Sequence, residues 1–337
     1  MRKGPFTILA IIFILLSIVI LKFNHDPSFI LAYDVFGYYL YLPSLFIYND
    51  FGFQDLSILE NIAEHYKLSS TLYQFTTTDQ GQLIIRYSGG MAILYLPFFL
   101  IGHLIASISG YVMDGYSAPY VYSIYIGGII YSILGLIFLS KVLRRFLSDK
   151  ITAITMLVLF FGTNYYINVV YKCTMPHNYL FTLYAFNMWL TIKWHENPKA
   201  KYAVLLGLVL GLTILIRPTE IVSVFIPLLW GVYNRQTFKE KIQLLLKYKI
   251  HLLYFAIAGI LIWSPQLIYW KVYSGNWLFY SYRNPGEGFE FLWPYTLKVL
   301  FSFRKGWLIY TPMMIFAVIG LYFLYKGNKK IFWPVTT

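Results

Sequence analysis

One carboxylate in this sequence is placed where it could act as a general base. Asp34 follows the first apolar run, and a tyrosine-rich stretch that favours a helix continues from it to Leu42. A carboxylate at a helix N-terminus is stabilised in its charged form by the helix dipole, and Tyr38, one turn further on, could donate a hydrogen bond to it. Proton abstraction from a nucleophile requires such an acceptor, ionised and held in place. The same position also suits an ordinary helix cap, and position alone does not decide between the two roles.

Two short segments carry basic side chains that could bind a phosphate. Arg86 belongs to segment 86–90, which ends in two glycines that would let a ligand approach the backbone. Lys172 and His177 share segment 171–178, between two apolar runs. Each residue also has a structural alternative. Arg86 and Lys172 could extend to the membrane surface, the two glycines after Arg86 could permit helix packing, and His177 could cap the next helix.

Other charged residues interrupt the apolar runs. Arg217 and Glu220 lie in the break between two runs, where ionised side chains are costly and are therefore candidates for function. They could instead neutralise each other. Arg304, followed by Lys305, precedes the last long apolar run. A lipid-linked phosphate would explain Arg304, and so would an anionic phospholipid.

Several classes of chemistry have no motif in this sequence. The six histidines lack metal-ligand spacing, and there is no Walker loop, dinucleotide fingerprint or nucleophile elbow. The single cysteine, Cys173, excludes an intramolecular disulfide and a cysteine-built metal site. We therefore predict no cofactor and no metal site built from histidine or cysteine, while a divalent metal ion remains an open alternative. The net charge of +13 does not indicate a nucleic-acid partner, because most basic residues stand in short clusters between apolar runs.

The elements that must position these residues are membrane helices. Of the 337 residues, 58% are hydrophobic and only 12% are charged, and the mean hydropathy is +0.60. A water-soluble fold could not cover so much apolar surface, so we predict an all-α, polytopic bundle of about eight membrane-spanning helices. The predicted spans are 5–21, 120–139, 151–170, 179–193, 202–216, 221–233, 251–270 and 307–325.

The distribution of basic residues orients this bundle. They concentrate in short segments that would be cytoplasmic, which places the N-terminus in the cytoplasm and makes the first run an uncleaved signal anchor. Two longer outer segments, 22–119 with interfacial helices and 271–306, would rest on the bundle within a single domain, 1–337. Run 91–108 would then begin and end outside, as an interfacial or re-entrant segment. The last residues read like the start of another span, so we expect either a truncated chain or a family member that lacks the C-terminal spans.

Five segments, in this order, carry a family resemblance. Asp34 and its aromatic-rich helix come first, followed by Arg86-Tyr87-Ser88-Gly89-Gly90, then 212–220 and 264–277, and 304–312 extends the pattern. Together they cover nearly the whole chain. The pattern resembles the GT-C membrane glycosyltransferases, which include the protein O-mannosyltransferases and the aminoarabinose transferase of lipid A.

The resemblance implies that a sugar is transferred from a polyprenyl-phosphate carrier to a lipid, glycan or protein acceptor. The transfer would occur on the outer face of a membrane, which we expect to be a bacterial inner membrane. Asp34 would act as the base. Relatives often carry a second acid near that aspartate, where this chain has Tyr33 and Val35, and this favours chemistry without a metal ion. The residues expected to bind the substrate and its phosphate are Arg86, Lys172, His177, Arg217, Glu220, Arg304 and Tyr38.

Two other functions remain open from the sequence. A flippase or transporter of lipid-linked glycans would use the same basic residues to hold a lipid phosphate without any chemistry. The predicted spans lack acids in their interiors, which argues against proton-coupled transport. An oligosaccharide polymerase or ligase would use a pyrophosphate-linked donor, and its extra negative charge would call for more cations than these segments provide.

Overall fold

The computed structural model describes residues 4–23, 26–282 and 295–336; it is 72% helical and has almost no sheet. The predicted fold class, an all-α polytopic membrane protein, is confirmed. The α-helices are α1 (Pro5–Phe23), α2 (Asp34–Tyr39), α3 (Tyr41–Pro43), α4 (Ser57–His65), α5 (Gly90–Ser109), α6 (Ala118–Leu143), α7 (Asp149–Gly162), α8 (Tyr165–Val170), α9 (Pro176–Glu196), α10 (Ala200–Ile216), α11 (Phe225–Leu229), α12 (Arg235–Lys247), α13 (Lys249–Ser274), α14 (Thr296–Phe301), α15 (Trp307–Tyr310), α16 (Met314–Gly327) and α17 (Lys329–Thr336).

Four of the described helices are long and apolar enough to cross a membrane. They are α1, α5, α6 and α13. Three shorter apolar helical stretches, Ala200–Ile216, Pro218–Leu229 and Met314–Gly327, lie in regions of the other predicted spans. Predicted span 179–193 lies within the unbroken 21-residue α9, and the other four of the eight predicted spans fall on short or broken helices.

The structure divides three predicted spans that the sequence presents as continuous. Segment 151–170 forms α7 and α8, because Thr163 is extended and its hydroxyl accepts a 3.1 Å hydrogen bond from the Tyr165 amide. Segment 221–233 includes the end of a 3-10 helix, Pro218–Val224, and the short α11. Segment 307–325 is split into α15 and α16 around Pro312, whose ring cannot continue a helix.

A hairpin that the sequence did not predict lies in the first outer segment. The threonine-rich strip after α4 forms two short antiparallel strands, β1 (Phe75–Thr77) and β2 (Leu83–Ile85), with Phe75 opposite Ile85. The β-strands place Gln74 and Arg86 side by side, since the Arg86 amide donates a 2.8 Å hydrogen bond to the Gln74 carbonyl. The hairpin thus positions segment 86–90 against the helix bundle.

Glycines let the central helices pack backbone against backbone. A Cβ at Gly207 of α10 would lie 2.2 Å from the Phe255 carbonyl oxygen of α13, so no other residue fits. At Gly128 of α6, a Cβ would lie 2.5 Å from the Cys173 carbonyl oxygen. Small residues are typical of helix crossings in bilayers, where close packing drives association. As a result α10, which ends immediately before Arg217, is fixed against α13.

Helix α5 packs against the first half of α6, as far as Tyr131, and against the end of α10. Gly90, at its start, packs against the backbone of Ile216 at the end of α10. Tyr95 donates a hydrogen bond to the Thr174 carbonyl in the connection between α8 and α9. Gly102, further along, packs against Tyr120 at the start of α6. An interfacial or re-entrant segment would make such contacts, although α5 is also long enough to span, and its depth stays a prediction.

Candidate active site

Asp34 is held by two tyrosine hydroxyl groups. Tyr73 and Tyr87 donate hydrogen bonds of 2.8 Å and 2.9 Å, both to Oδ1 of the Asp34 carboxylate. Burial, together with the neighbouring Asp34 charge, raises the pKa of Tyr73 and of Tyr87, so both remain protonated donors at neutral pH. No hydrogen bond from the described residues reaches Oδ2. One oxygen of the half-buried carboxylate is therefore available to a substrate.

The helix-cap interpretation of Asp34 does not agree with this geometry. Asp34 is the first residue of α2, the cap position is Tyr33, and α2 has no side-chain cap hydrogen bond. Tyr33 adopts φ 56° and ψ −124°, a conformation that is strained for a tyrosine. Its amide donates to the Leu68 carbonyl (2.8 Å), and its carbonyl accepts from Gln74 Nε2 (2.9 Å). These two bonds hold the strained turn that directs Asp34 toward the hairpin.

Segment 86–90 is fixed by hydrogen bonds to three helices. Tyr41 of α3 donates to the Tyr87 carbonyl (2.7 Å), and Ser88 Oγ donates to the Leu215 carbonyl of α10 (2.5 Å). The Gly89 amide donates to Oε1 of Gln266 on α13 (2.7 Å). Because Tyr87 belongs to this segment, α3, α10 and α13 together set where its hydroxyl meets Asp34.

The two glycines of this segment contact protein rather than open space. A Cβ at Gly90 would lie 2.6 Å from the Ile216 amide nitrogen, and one at Gly89 would lie 3.2 Å from Gln266 Oε1. Their small size therefore serves packing, not the ligand approach that the sequence suggested. The Arg86 carbonyl accepts a hydrogen bond from Ser281 Oγ (2.5 Å), and its side chain is half-buried.

Tyr38 lies near both Asp34 and Arg217. Its ring lies 4.4 Å from the Tyr87 ring. The Arg217 side chain lies beside the Tyr38 hydroxyl; burial raises the pKa of Tyr38, and the positive charge of Arg217 acts in the opposite direction. The predicted partner of Asp34 was Tyr38, and this was wrong: the donors in the described chain are Tyr73 and Tyr87. Tyr38 thus lies within electrostatic range of both Arg217 and Asp34.

A second group of charges gathers around His177. Burial lowers the pKa of His177, the positive charges of Arg217 and Lys172 lower it further, and Glu220 opposes them. His177 is therefore neutral at pH 7, within electrostatic range of both cations. Glu220 Oε2 accepts a 2.7 Å hydrogen bond from Tyr184. The described residues show no ion pair between Arg217 and Glu220, so the two do not simply neutralise each other.

Arg304 stands apart from these residues. Its side chain is exposed, its amide donates to Ser302 Oγ (3.1 Å), and no contact within the described ranges joins it to Asp34 or Arg217. No group of three or more potential metal ligands occurs among the described residues. Sequence reasoning missed Tyr73, Tyr87 and Gln266. Tyr87 directly follows Arg86 and could have been found from that position. No feature of the sequence marks Tyr73.

An apolar cavity lies behind segment 86–90. It has a volume of about 240 Å³ and is bordered by α3, α5 and α13, with Tyr41, Ala92 and Gln266 among its lining residues. Leu45 and Phe46, at its edge, are exposed by 51% and 47%. The cavity thus opens toward the surface where membrane lipid would lie.

These features define a polytopic, all-α membrane protein with a carboxylate and cations gathered at one end of its bundle. Residues 120–269 match the family described as dolichyl-phosphate-mannose-protein mannosyltransferase, a glycosyltransferase family of the GT-C type. The predicted resemblance is thereby confirmed over this region, which includes Lys172, His177, Arg217 and Gln266 but not Asp34. Neither a curated protein nor a solved structure matches the chain significantly. The family match supports a membrane glycosyltransferase that uses a lipid-linked sugar.

Proposed function

We propose that this protein transfers a sugar from a polyprenyl-phosphate carrier to an acceptor at the outer face of the membrane, with Asp34 as the general base. The observation that carries the proposal is the carboxylate of Asp34, fixed through Oδ1 by two tyrosines while Oδ2 remains open. On the other side of Tyr38 lies Arg217, a cation suited to a phosphate.

The reaction can be assigned to these residues with a single displacement. Asp34 Oδ2 takes the proton of the acceptor nucleophile, which forms a bond to the anomeric carbon of the sugar. The bond from that carbon to the phosphate oxygen breaks, and its electron pair leaves with the carrier phosphate. Arg217 and Lys172 stabilise the charge that develops on this phosphate. One base and one leaving group give inversion at the anomeric carbon.

The remaining candidates have supporting roles in this proposal. Neutral His177 can donate a hydrogen bond to the phosphate or sugar without adding charge, and Glu220 limits the local positive charge. Arg86 and Arg304 would contact the carrier phosphate from the outer segments. The cavity behind segment 86–90 is apolar and adjoins the candidate site, so it could hold the first isoprene units of the carrier. A metal ion has no part in this scheme.

The test is transfer by the purified protein in detergent, supplied with a polyprenyl-phosphate sugar. The family described above is named for mannose and a protein acceptor, so that pair is the first to assay. Product formation from the monophosphate donor supports the proposal. Movement of the lipid across a vesicle membrane without transfer would identify a transporter, and a strict need for a pyrophosphate donor would identify a polymerase or ligase.

The proposal also requires a particular orientation. The N-terminus and segment 231–249 should be cytoplasmic, with Asp34 outside, in the cell membrane of a bacterium. Reporter fusions at these positions would test the orientation independently of activity.

A further inference from the structure

Helix α12 carries three kinds of surface around its axis, at the end of the bundle far from Asp34. Leu244, Leu245 and Lys241 are turned toward the protein. The apolar stripe, which consists of Phe238, Ile242 and Leu246, follows at four-residue spacing and is exposed by 54%, 42% and 65%. Residues at this spacing share one face of a helix. The remaining, polar face consists of Arg235, Gln236, Lys239, Glu240, Gln243 and Lys247, all of which are exposed.

The rotation of α12 about its axis is fixed by Lys241. Its Nζ donates a 2.6 Å hydrogen bond to the Pro227 carbonyl and lies 2.5 Å from His195 Nε2. Lys241 is exposed by only 6%. At the start of the helix, Asn234 Oδ1 accepts a 2.8 Å hydrogen bond from the Thr237 amide in a capping box. Turning the apolar stripe inward would break the buried Lys241 contacts, so the stripe stays on the outside.

The charges beside the stripe are mostly positive. Arg235 and Lys239 border it on its polar side, and Lys247 ends the helix. The one acid of α12, Glu240, is already engaged, since its Oε1 accepts a 3.0 Å hydrogen bond from Gln236 Nε2. An apolar stripe bordered by cations is the pattern of a helix that lies in the plane of a membrane surface.

The stripe also continues into a surface that faces lipid. Helix α13, which is long and apolar enough to cross the membrane, begins directly after α12. Its first turns expose Ile250 by 48% and Leu253 by 52%. The apolar band of α13 and the stripe of α12 therefore adjoin at the point where α13 would enter the bilayer.

We propose that α12 is an interfacial helix that binds the surface of a bilayer containing anionic phospholipid. Phe238, Ile242 and Leu246 enter the acyl region, and the three cations meet lipid phosphates. The continuity with α13 and the positive border favour a bilayer over a soluble partner helix. This inference is independent of the transferase proposal, because it concerns the opposite end of the bundle.

The test uses spin labels on the full-length protein in vesicles. Cys173 is exposed by only 1%, so a cysteine introduced on α12 can be labelled selectively. Labels at Ile242→Cys and Leu246→Cys report the stripe, and labels at Gln236→Cys and Gln243→Cys are matched controls on the polar face. In vesicles of phosphatidylcholine with phosphatidylglycerol, the stripe labels should be several times more accessible to oxygen, relative to a water-soluble nickel chelate, than the controls.

Two results would overturn the proposal. Stripe labels as accessible to the chelate as the controls would place the stripe in water. Stripe labels shielded from both reagents would indicate a protein partner instead. The anionic requirement is tested by Arg235→Gln/Lys239→Gln/Lys247→Gln, which should shift the stripe labels toward the values seen in phosphatidylcholine alone. An unchanged depth in this variant would refute the role of the cations.

Discussion

Tyr87 and Asp34 are joined by a 2.9 Å hydrogen bond across 53 residues of sequence. The strained turn at Tyr33 supplies one partner, and the hairpin β1–β2 supplies the other. Because Tyr87 lies in a segment that α10 and α13 fix, the orientation of the carboxylate depends on helices formed much later in the chain. The following predictions test this dependence and the chemistry that it would serve.

Replacing Asp34 by asparagine should nearly abolish sugar transfer. The amide cannot accept a proton from the nucleophile, and loss of a general base lowers rates by about 10²- to 10⁴-fold. The measurement is the initial rate of sugar transfer from a polyprenyl-phosphate donor in detergent. Asp55→Asn, at an exposed acid in the same outer segment, should keep full activity. Wild-type rates in Asp34→Asn would remove Asp34 from the mechanism.

Removing the tyrosine hydroxyls should slow the reaction without weakening donor binding. Tyr73→Phe and Tyr87→Phe each delete one hydrogen bond to Oδ1, and we expect each to lower kcat about tenfold. The KM for the donor should stay unchanged, because neither hydroxyl is assigned to the phosphate. Tyr122→Phe, at an exposed tyrosine of α6, is the control. Equal kcat in all three variants would contradict the positioning role.

Gln266 should act as a positioning residue through the Gly89 amide. Gln266→Leu leaves this amide without its acceptor and should lower kcat. Gln266→Glu retains an acceptor oxygen and should recover a large part of the rate. The comparison needs kcat, KM and thermal unfolding of both variants. If Gln266→Leu loses stability but the purified folded fraction has normal kcat, its role is structural alone.

Arg217 should stabilise the leaving phosphate and lower the pKa of His177. Arg217→Gln should lower the transfer rate by about 10²- to 10³-fold, as removal of one electrostatic donor typically does. Because the charge of Arg217 lowers the pKa of His177, the same variant should raise that pKa. Diethylpyrocarbonate modifies neutral imidazole, so modification of His177, followed by peptide mass spectrometry, should begin at higher pH. Arg217→Lys should leave the modification curve close to that of the wild type.

Gly207 should be required for the close packing of α10 on α13. In Gly207→Ala the new Cβ would collide with the Phe255 carbonyl, and overpacking of this kind costs about 1–3 kcal/mol. Thermal unfolding in detergent should show a lower midpoint. Gly320→Ala is the matched control, because nothing lies within 4 Å of a Cβ at that position of α16. A lower midpoint in Gly320→Ala alone would contradict this account of the crossing.

The sequence predicts the broad architecture of this protein because apolar length is a physical requirement of the bilayer. It does not predict where helices break. The interruption at Thr163 comes from one hydroxyl that accepts a backbone hydrogen bond, and such competition leaves no trace in hydropathy. The hairpin β1–β2 was missed for a related reason: three-residue strands have too few positions to show alternation.

The charged residues of the candidate site could be predicted from the sequence, whereas its hydrogen bonds could not. Arg217, Lys172 and His177 could be found because polar residues at membrane depth are costly, and the structure brings them together. The partners of Asp34 could not be found, since they lie outside the helix that contains it and depend on the hairpin. The charge of Arg304 was equally visible in the sequence, but its exposed side chain makes no contact with Asp34 in the described chain, and its role stays a prediction.

The hydrogen bonds from Ile85 to the Tyr269 hydroxyl and from Gly89 to Gln266 have a consequence for biogenesis. Both donors are synthesised long before their acceptors. While the ribosome has yet to produce α13, these backbone amides have no native acceptor, and segment 86–90 cannot hold Tyr87 against Asp34. We therefore expect a nascent chain to remain inactive until its second half has been inserted, so that assembly itself delays catalysis.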